Sequence, residues 1–141
     1  MSGSVFHALC YHFVWSTKGR FPVLSGGRRE WIVERVRSES RKRGGTVFAC
    51  NAMPDHVHLV VAVPPTLAVC HFIGQVKGAS SFGFNREFAP PTEKVLSWQD
   101  GYGAFSLRLA GRAEVVRYVE DQERIHANRE TIPFAEDCGE A

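Results

Sequence analysis

The alternating segment at residues 53–63, MPDHVHLVVAV, constrains the fold of this chain more than any other feature. Successive side chains of a β-strand point to opposite faces, so the segment predicts a strand with His56 and His58 on the same face. The other face is apolar and is expected to enter the core through Val57, Leu59, Val61 and Val63. Two imidazoles side by side can chelate a divalent metal ion. The pair alone is explained equally well without a metal, as two histidines on a half-buried strand that hydrogen-bond to neighbouring groups.

Composition predicts a single domain that does not enter a membrane. The 141 residues are 44% hydrophobic, which is enough for one core, and no apolar run approaches the roughly eighteen residues of a membrane span. We expect a cytoplasmic protein with reduced thiols, because no signal-peptide pattern is present and the four cysteines form no CxxC pair.

Charge is distributed unevenly along the chain. Residues 17–43 hold nine Lys and Arg against three Glu, a net charge of +6, whereas residues 114–141 carry a net charge of −5. A basic N-terminal third favours contact with a polyanion such as nucleic acid. The same pattern is typical of a solvated helix face, which is the commoner explanation of a charge run.

The order of the predicted elements is βαββαβα. Apolar periodicity separates strands from helices, and glycine and proline mark the connections. Strands are expected at residues 6–16, 46–51, 57–63 and 103–109, and helices at 28–43, 67–86 and about 112–128. This order predicts an α+β ferredoxin-like sandwich, in which one antiparallel sheet has its first and third strands at the centre and two helices on one face. The C-terminal helix is an addition to this core of residues 5–110, and an acidic tail follows at 129–141.

The last helix carries a second polar pair. Tyr118 and Gln122 are four residues apart, so on an α-helix they lie about 40° from each other on one face. They border an apolar stripe made by Val115, Val116 and Val119. A glutamine oxygen is a suitable ligand for a hard cation. Taken singly, the tyrosine is equally explained by a place in the core and the glutamine by exposure to solvent.

These features together resemble the single-tyrosine HUH transposases of small insertion sequences and their REP-associated relatives. The resemblance rests on a His-hydrophobe-His strand followed by one tyrosine on a later helix. Further blocks match in order at residues 11–18, 54–59, 77–81, 98–106 and 118–123. The chain departs from the usual pattern at Leu107-Arg108 and at Ile125-His126, neither of which is a proposed catalytic residue.

The resemblance implies a site and a reaction. Tyr118 is implied as the nucleophile that forms a 5′-phosphotyrosine, and a Mg²⁺ or Mn²⁺ ion is implied to be held by His56, His58 and Gln122. The implied substrate is single-stranded DNA with imperfect hairpins, cleaved and rejoined by a homodimer with composite active sites. The basic positions inside the matching blocks, and therefore the candidates for DNA binding, are Lys18, Arg20 and Lys77.

Three other positions have two interpretations each. Asp55 either orients the neighbouring His56 or forms the turn before the strand. Trp98 either stacks on a base or belongs to the core. Tyr11 and Tyr102 are weaker nucleophile candidates, since one lies within the first strand and the other in a glycine-flanked loop.

Two further functions remain open from the sequence. One is a domesticated or non-catalytic protein that binds DNA hairpins with the same sheet. The other is a metal phosphohydrolase acting on nucleotides, although a histidine-triad hydrolase needs a third alternating histidine where this chain has Val60. A cleavage assay separates them, because only the transposase chemistry forms a covalent protein–DNA adduct.

Overall fold

The computed structural model describes residues 9–121 of the chain. Its elements follow the predicted order βαββαβα. The strands are β1 (Cys10–Ser16), β2 (Thr46–Met53), β3 (His56–Ala62) and β4 (Gly103–Leu107), and the helices are α1 (Gly27–Lys42), α2 (Val69–Phe88) and α3 (Arg112–Glu120). Within residues 9–121, no helix is both long and apolar enough to cross a membrane.

The four strands form one antiparallel sheet in the order β2-β3-β1-β4. The prediction that the first and third strands are central is confirmed. In the register of this central pair, Ser16 lies opposite His56. The end of β1 and the start of β3 therefore lie side by side, and the backbone N–H of Thr17 donates to the carbonyl of Asp55 at 2.8 Å.

Helices α1 and α2 cover one face of the sheet and bury the main core. This core contains the large buried side chains Phe13, Trp15, Leu24, Ile32, Phe72, Ile73 and Phe84. Full burial of one such side chain stabilises the fold by roughly 1.5–3 kcal/mol. The inward face predicted for β3 is confirmed, because the same core includes Val57, Leu59, Val61 and Val63.

Helix α3 packs on the opposite face of the sheet. A smaller apolar cluster there joins Val119 to three sheet residues, Cys10, Ala49 and Val60. The apolar stripe predicted for the last helix lies in this cluster, since Val115 and Val116 pack against it. The two faces of the sheet are therefore covered by different parts of the chain.

Several element ends differ from the sequence prediction. The first strand begins at Cys10, with Leu9 already outside it, and β4 ends at Leu107 because a 3₁₀ turn at Leu109–Gly111 leads into α3. Helix α2 begins and ends two residues later than predicted. Helix α3 extends to Glu120, and the backbone of Asp121, with φ −93° and ψ 15°, is no longer α-helical. Residues 122–128 of the predicted helix lie outside the described residues.

A side-chain amide on β2 anchors α3 to the sheet. Asn51 Nδ2 donates to the carbonyl of Val119 at 3.1 Å. Asn51 Oδ1 accepts from Arg29 Nη2 at 3.0 Å and from the N–H of Ala52 at 2.9 Å. Because Val119 directly follows Tyr118, this contact fixes the position of the tyrosine over the sheet.

The substitution Asn51→Asp tests this anchor, because it keeps the acceptor oxygens for Arg29 and removes the donor to Val119. One hydrogen bond contributes about 1 kcal/mol net, which corresponds to a roughly five-fold change in local opening. We expect hydrogen exchange of α3 peptides, followed by mass spectrometry, to become about five-fold faster while β1 and β3 are unchanged. Equal exchange of α3 in both proteins would contradict the anchoring role.

Candidate active site

His56 and His58 lie next to each other on the face of the sheet that α3 covers. Their side chains are almost completely buried, with 2% and 0% of the residue exposed. Their ring centroids are 5.0 Å apart. The intervening Val57 belongs to the main core on the opposite face, under α1 and α2. The predicted alternation of this strand is therefore confirmed.

The Nδ1 atom of each of these rings already has a protein partner. His56 Nδ1 lies 2.7 Å from Asp55 Oδ1, and His58 Nδ1 lies 2.9 Å from His12 Nε2. A metal ion bound by both rings would therefore be held through their Nε2 atoms. Both rings are fixed by a hydrogen bond on the side away from such an ion, an arrangement typical of metal-binding histidines.

Asp55 connects His56 to the loop that follows β1. Its Oδ1 accepts from His56, and its Oδ2 accepts from Arg20 Nε at 3.1 Å. Burial raises the pKa of Asp55, but the hydrogen bonds and charges of His56 and Arg20 outweigh burial and hold the pKa below its usual value. The carboxyl group is therefore an ionised acceptor, in addition to lying in the predicted turn between β2 and β3.

His12 is a residue of this site that sequence reasoning missed. It lies on β1, is 4% exposed, and its ring is adjacent to that of His58, with centroids 5.1 Å apart and an angle of 24° between the ring planes. The ring of Phe105 on β4 also contacts His12, with ring centroids 6.1 Å apart. The only signal in the sequence was a polar residue inside an otherwise apolar strand, and its partner is 46 positions away.

Tyr118 lies against His58 and His12 in the same chain. Its ring is edge-on to His58 with centroids 5.9 Å apart, and to His12 with centroids 6.5 Å apart. The structure therefore brings together three of the four residues predicted for catalysis and metal binding, namely His56, His58 and Tyr118. The fourth, Gln122, lies outside the described residues.

The other two described tyrosines are on the opposite side of the sheet. Tyr11 packs against Phe13, and Tyr102 contacts Phe13 edge-on at 6.1 Å, both within the core under α1 and α2. Burial raises the pKa of Tyr102 above its usual value. Neither ring shares a face with His56 and His58, so Tyr118 is the described tyrosine that does.

A complete metal cluster of the usual acidic, histidine or cysteine type is absent from residues 9–121. No group of three His, Cys, Asp or Glu side chains there has the geometry to hold an ion. His56 and His58 supply two imidazoles on one face. A third protein ligand would have to be of another type or come from outside the described residues.

Lys77 and Trp98 have structural partners. Lys77 Nζ donates to the carbonyls of Gln99 and Gly101 at 2.9 and 2.7 Å. Burial lowers the pKa of this ammonium group. Trp98 donates from Nε1 to the carbonyl of Lys77 at 2.9 Å and packs edge-on against Trp15. Both side chains therefore attach α2 to the segment before β4, on the side of the sheet away from the histidines.

The loop after β1 presents the other two basic candidates at the end of the sheet where His56 lies. Lys18 is exposed, and Arg20 is half-buried against Asp55. Phe21 is 68% exposed, which places an aromatic ring beside these cations. Gly19 and Arg20 both have left-handed backbone, with φ of 68° and 59°, and such a conformation costs a non-glycine residue about 1–3 kcal/mol. Sequence reasoning missed Phe21 because a single aromatic residue in a loop has no periodic signal.

Several cations of the basic N-terminal third have partners within the fold. Arg35, Lys42 and Arg43 surround the carboxylate of Glu39. Burial raises the pKa of Glu39, but hydrogen bonds from Arg43 and Arg35 and the charge of Lys42 hold it below its usual value. Part of the positive charge of this region is therefore paired with a carboxylate of the same helix.

Comparison with known proteins assigns this sheet and site to a class. Residues 5–122 match the family model described as "Transposase IS200 like", which covers the strands, all three helices and both histidines. Fold and match together define a transposase domain. The chain belongs to the IS200-like transposase family, as the resemblance noted in its sequence implied, and its activity class is DNA transposition.

Individual relatives agree with this assignment. The ISDra2 transposase TnpA of Deinococcus radiodurans is 29% identical over 119 residues, which cover 82% of this chain and 85% of that protein. The transposase for insertion sequence element IS200 of Salmonella typhimurium is 27% identical over 95 residues, 65% of this chain and 62% of the relative.

Two solved structures share the fold. A crystal structure of a Deinococcus radiodurans R1 protein assigned as a transposase superposes with a TM-score of 0.69 at 26% identity, over 86% of this chain and 96% of that one. The REP-associated tyrosine transposase bound to a REP hairpin superposes with a TM-score of 0.62 at 15% identity, over 89% of this chain and 74% of that one.

Proposed function

We propose that this transposase cleaves and rejoins single-stranded DNA at hairpin-marked ends through a 5′-phosphotyrosine intermediate. The observation that supports this most is the edge-on contact of Tyr118 with His58, whose centroids are 5.9 Å apart, on the face that also holds His56. The proposed nucleophile and the two histidines proposed as metal ligands are thus adjacent within one chain. Neither of the other described tyrosines reaches that face.

In the proposed reaction Tyr118 supplies the attacking oxygen. A bond forms between Tyr118 Oη and the scissile phosphorus while the bond between phosphorus and the 3′ oxygen breaks. The phenol loses its proton and the departing oxygen gains one, which leaves a 5′-phosphotyrosine and a free 3′-OH. Because one phosphodiester replaces another, a second 3′-OH can reverse the step and join new ends without ATP.

His56, His58 and Gln122 are proposed to hold one Mg²⁺ or Mn²⁺ ion. The two histidines suit this role, because their Nδ1 atoms bond to Asp55 and His12 and both rings would ligate through Nε2. The role of Gln122 is supported by the family resemblance alone. When bound, the ion neutralises charge that builds on the phosphoryl oxygens and orients the phosphate for in-line attack.

The proposed substrate is single-stranded DNA that carries imperfect hairpins. A protein of the same fold is bound to a REP hairpin, which supports this choice. Lys18 and Arg20 are proposed to contact phosphates beside His56, with the exposed ring of Phe21 available for stacking on a base. Lys77 is also proposed to contact DNA. This proposal has less support, because its ammonium group donates hydrogen bonds to two backbone carbonyls.

The nucleophile is tested by Tyr118→Phe, which keeps the ring against His58 and removes the attacking oxygen. We expect near-normal folding and hairpin binding, and complete loss of the covalent adduct when hairpin DNA is analysed by denaturing gel electrophoresis. Tyr102→Phe, which removes the same atom on the other side of the sheet, is the matched control and should retain the adduct.

The same assay separates the alternative functions. A wild-type protein that binds hairpins without forming any adduct would be a domesticated, non-catalytic binder. Release of cleaved DNA without an adduct would indicate a hydrolase. An adduct that persists in Tyr118→Phe would assign the nucleophile to another residue.

The metal site is tested by chelation and by substitution of its ligands. We expect wild type to bind hairpin DNA in excess EDTA but to cleave it only with Mg²⁺ or Mn²⁺. His56→Ala and His58→Ala should lower cleavage by about 100-fold or more, since each removes support for charge in the transition state, and Gln122→Ala should weaken it. His71→Ala, on the exposed surface of α2, is the control. Full cleavage by wild type in EDTA would exclude metal dependence.

A homodimer with composite active sites is proposed for the assembled enzyme. Strands β2 and β4 are the two edges of the sheet, and an edge strand can pair with a second copy of itself. Within the single chain, Tyr118 docks on its own His58. The short connection at residues 108–111 ends in Gly111, which permits a different backbone path. We propose that the helix also docks on the partner subunit in one conformation.

Mixed dimers distinguish docking on the same chain from docking on the partner. His56→Ala and Tyr118→Phe chains are co-expressed with different tags, and dimers that contain both are purified. If α3 docks on the partner, one site of each mixed dimer is intact, and we expect cleavage at about half the wild-type rate. If α3 docks only on its own chain, each site has one lesion and verified mixed dimers remain inactive.

A further inference from the structure

The environment of His12 assigns it a role that the mechanism above does not use. Its Nε2 lies 2.9 Å from His58 Nδ1, and the planes of the two rings are inclined by only 24°. The ring centroids of Phe105 and Tyr118 lie 6.1 and 6.5 Å from that of His12. Burying an imidazole to 4% exposure costs roughly 1–3 kcal/mol unless it is hydrogen-bonded, and the bond to His58 offsets that cost.

His12 stands in the same relation to His58 as Asp55 does to His56. In both cases a polar side chain bonds the Nδ1 atom, the one turned away from a metal held through Nε2. The two partners differ in origin. Asp55 is the sequence neighbour of His56, whereas His12 reaches His58 across the β1–β3 pairing, in which it lies opposite Val60.

We propose that His12 is a positioning residue that fixes the tautomer and ring orientation of His58 so that Nε2 of His58 faces the metal ion. This inference rests on the proposed metal site. A histidine that ligates through Nε2 carries its proton on Nδ1. That proton is donated to Nε2 of His12, which requires His12 to carry its own proton on Nδ1. His12 is not itself a ligand through Nε2, because that atom is committed to His58.

Metal affinity of the DNA-free protein tests this role without reference to cleavage. His12→Phe keeps a flat ring between Phe105 and His58 and removes the acceptor, whereas His12→Gln supplies an acceptor oxygen at similar reach. Loss of such a partner lowers metal affinity by about 10–100-fold in other proteins. We therefore expect Mn²⁺ titration, followed by the electron paramagnetic resonance signal of free Mn²⁺, to show weakening of that size in His12→Phe and recovery in His12→Gln.

The control and the outcomes separate this inference from the proposed function. His71→Phe, the same change at an exposed position of α2, should bind Mn²⁺ as wild type does. A His12→Phe protein that is folded by circular dichroism and binds Mn²⁺ with wild-type affinity would overturn the positioning role and leave the metal site intact. A wild-type protein that binds no divalent ion would overturn both.

The tautomer is also measurable in the wild-type protein, which decides the matter if His12→Phe does not fold. Imidazole ¹H–¹⁵N correlation spectra of the Mg²⁺-saturated protein distinguish a proton on Nδ1 from one on Nε2. We expect His58 and His12 both to carry the proton on Nδ1. A proton on Nε2 of His58, with His12 as the donor, would contradict the proposal.

Discussion

The antiparallel pairing of β1 with β3 is the interaction on which the rest of this site depends. It joins residues that are at least 40 positions apart in the chain, and its register sets Ser16 opposite His56. That register brings His12 within hydrogen-bonding distance of His58 and the Thr17 amide onto the carbonyl of Asp55. A shift by one residue would turn every side chain of β1 to the other face, moving His12 into the core and Phe13 onto the site.

The two faces of the sheet have separate tasks. The face under α1 and α2 is apolar and provides the main core, and His12, His56 and His58 lie outside that core. The other face carries the histidines and a smaller apolar cluster that holds α3. Tyr118 is thus carried by a helix that packs on this smaller cluster and is anchored by Asn51. The position of the proposed nucleophile therefore depends on contacts that are separate from the main core.

Some basic side chains are paired within the fold and others are exposed, and the sequence pattern does not reveal which. Glu39 forms salt bridges with Arg35, Lys42 and Arg43. The Lys77 ammonium group donates hydrogen bonds to two carbonyls in the segment before β4. Lys18 remains exposed beside Phe21, at the end of the sheet where His56 lies. The net charge of the basic N-terminal third therefore overstates the number of cations that are available to bind DNA. The position of each cation relative to the histidines is a better guide to DNA binding.

The sequence by itself determined the order of elements, the central place of the first and third strands, and the common face of His56 and His58. The order and the common face follow from local periodicity, because side-chain direction along a strand or helix repeats within a few residues. The central strands follow from the ferredoxin-like arrangement that this order predicts. Through the resemblance to a family the sequence also predicted Tyr118, among three tyrosines, as the nucleophile, and the structure places this ring beside His58. The sequence did not reveal His12, the internal use of Lys77, or the exposed ring of Phe21. Only the tertiary structure decided these, because each depends on a contact between segments far apart in the chain or on the path of a loop, and neither leaves a periodic trace in the residues themselves.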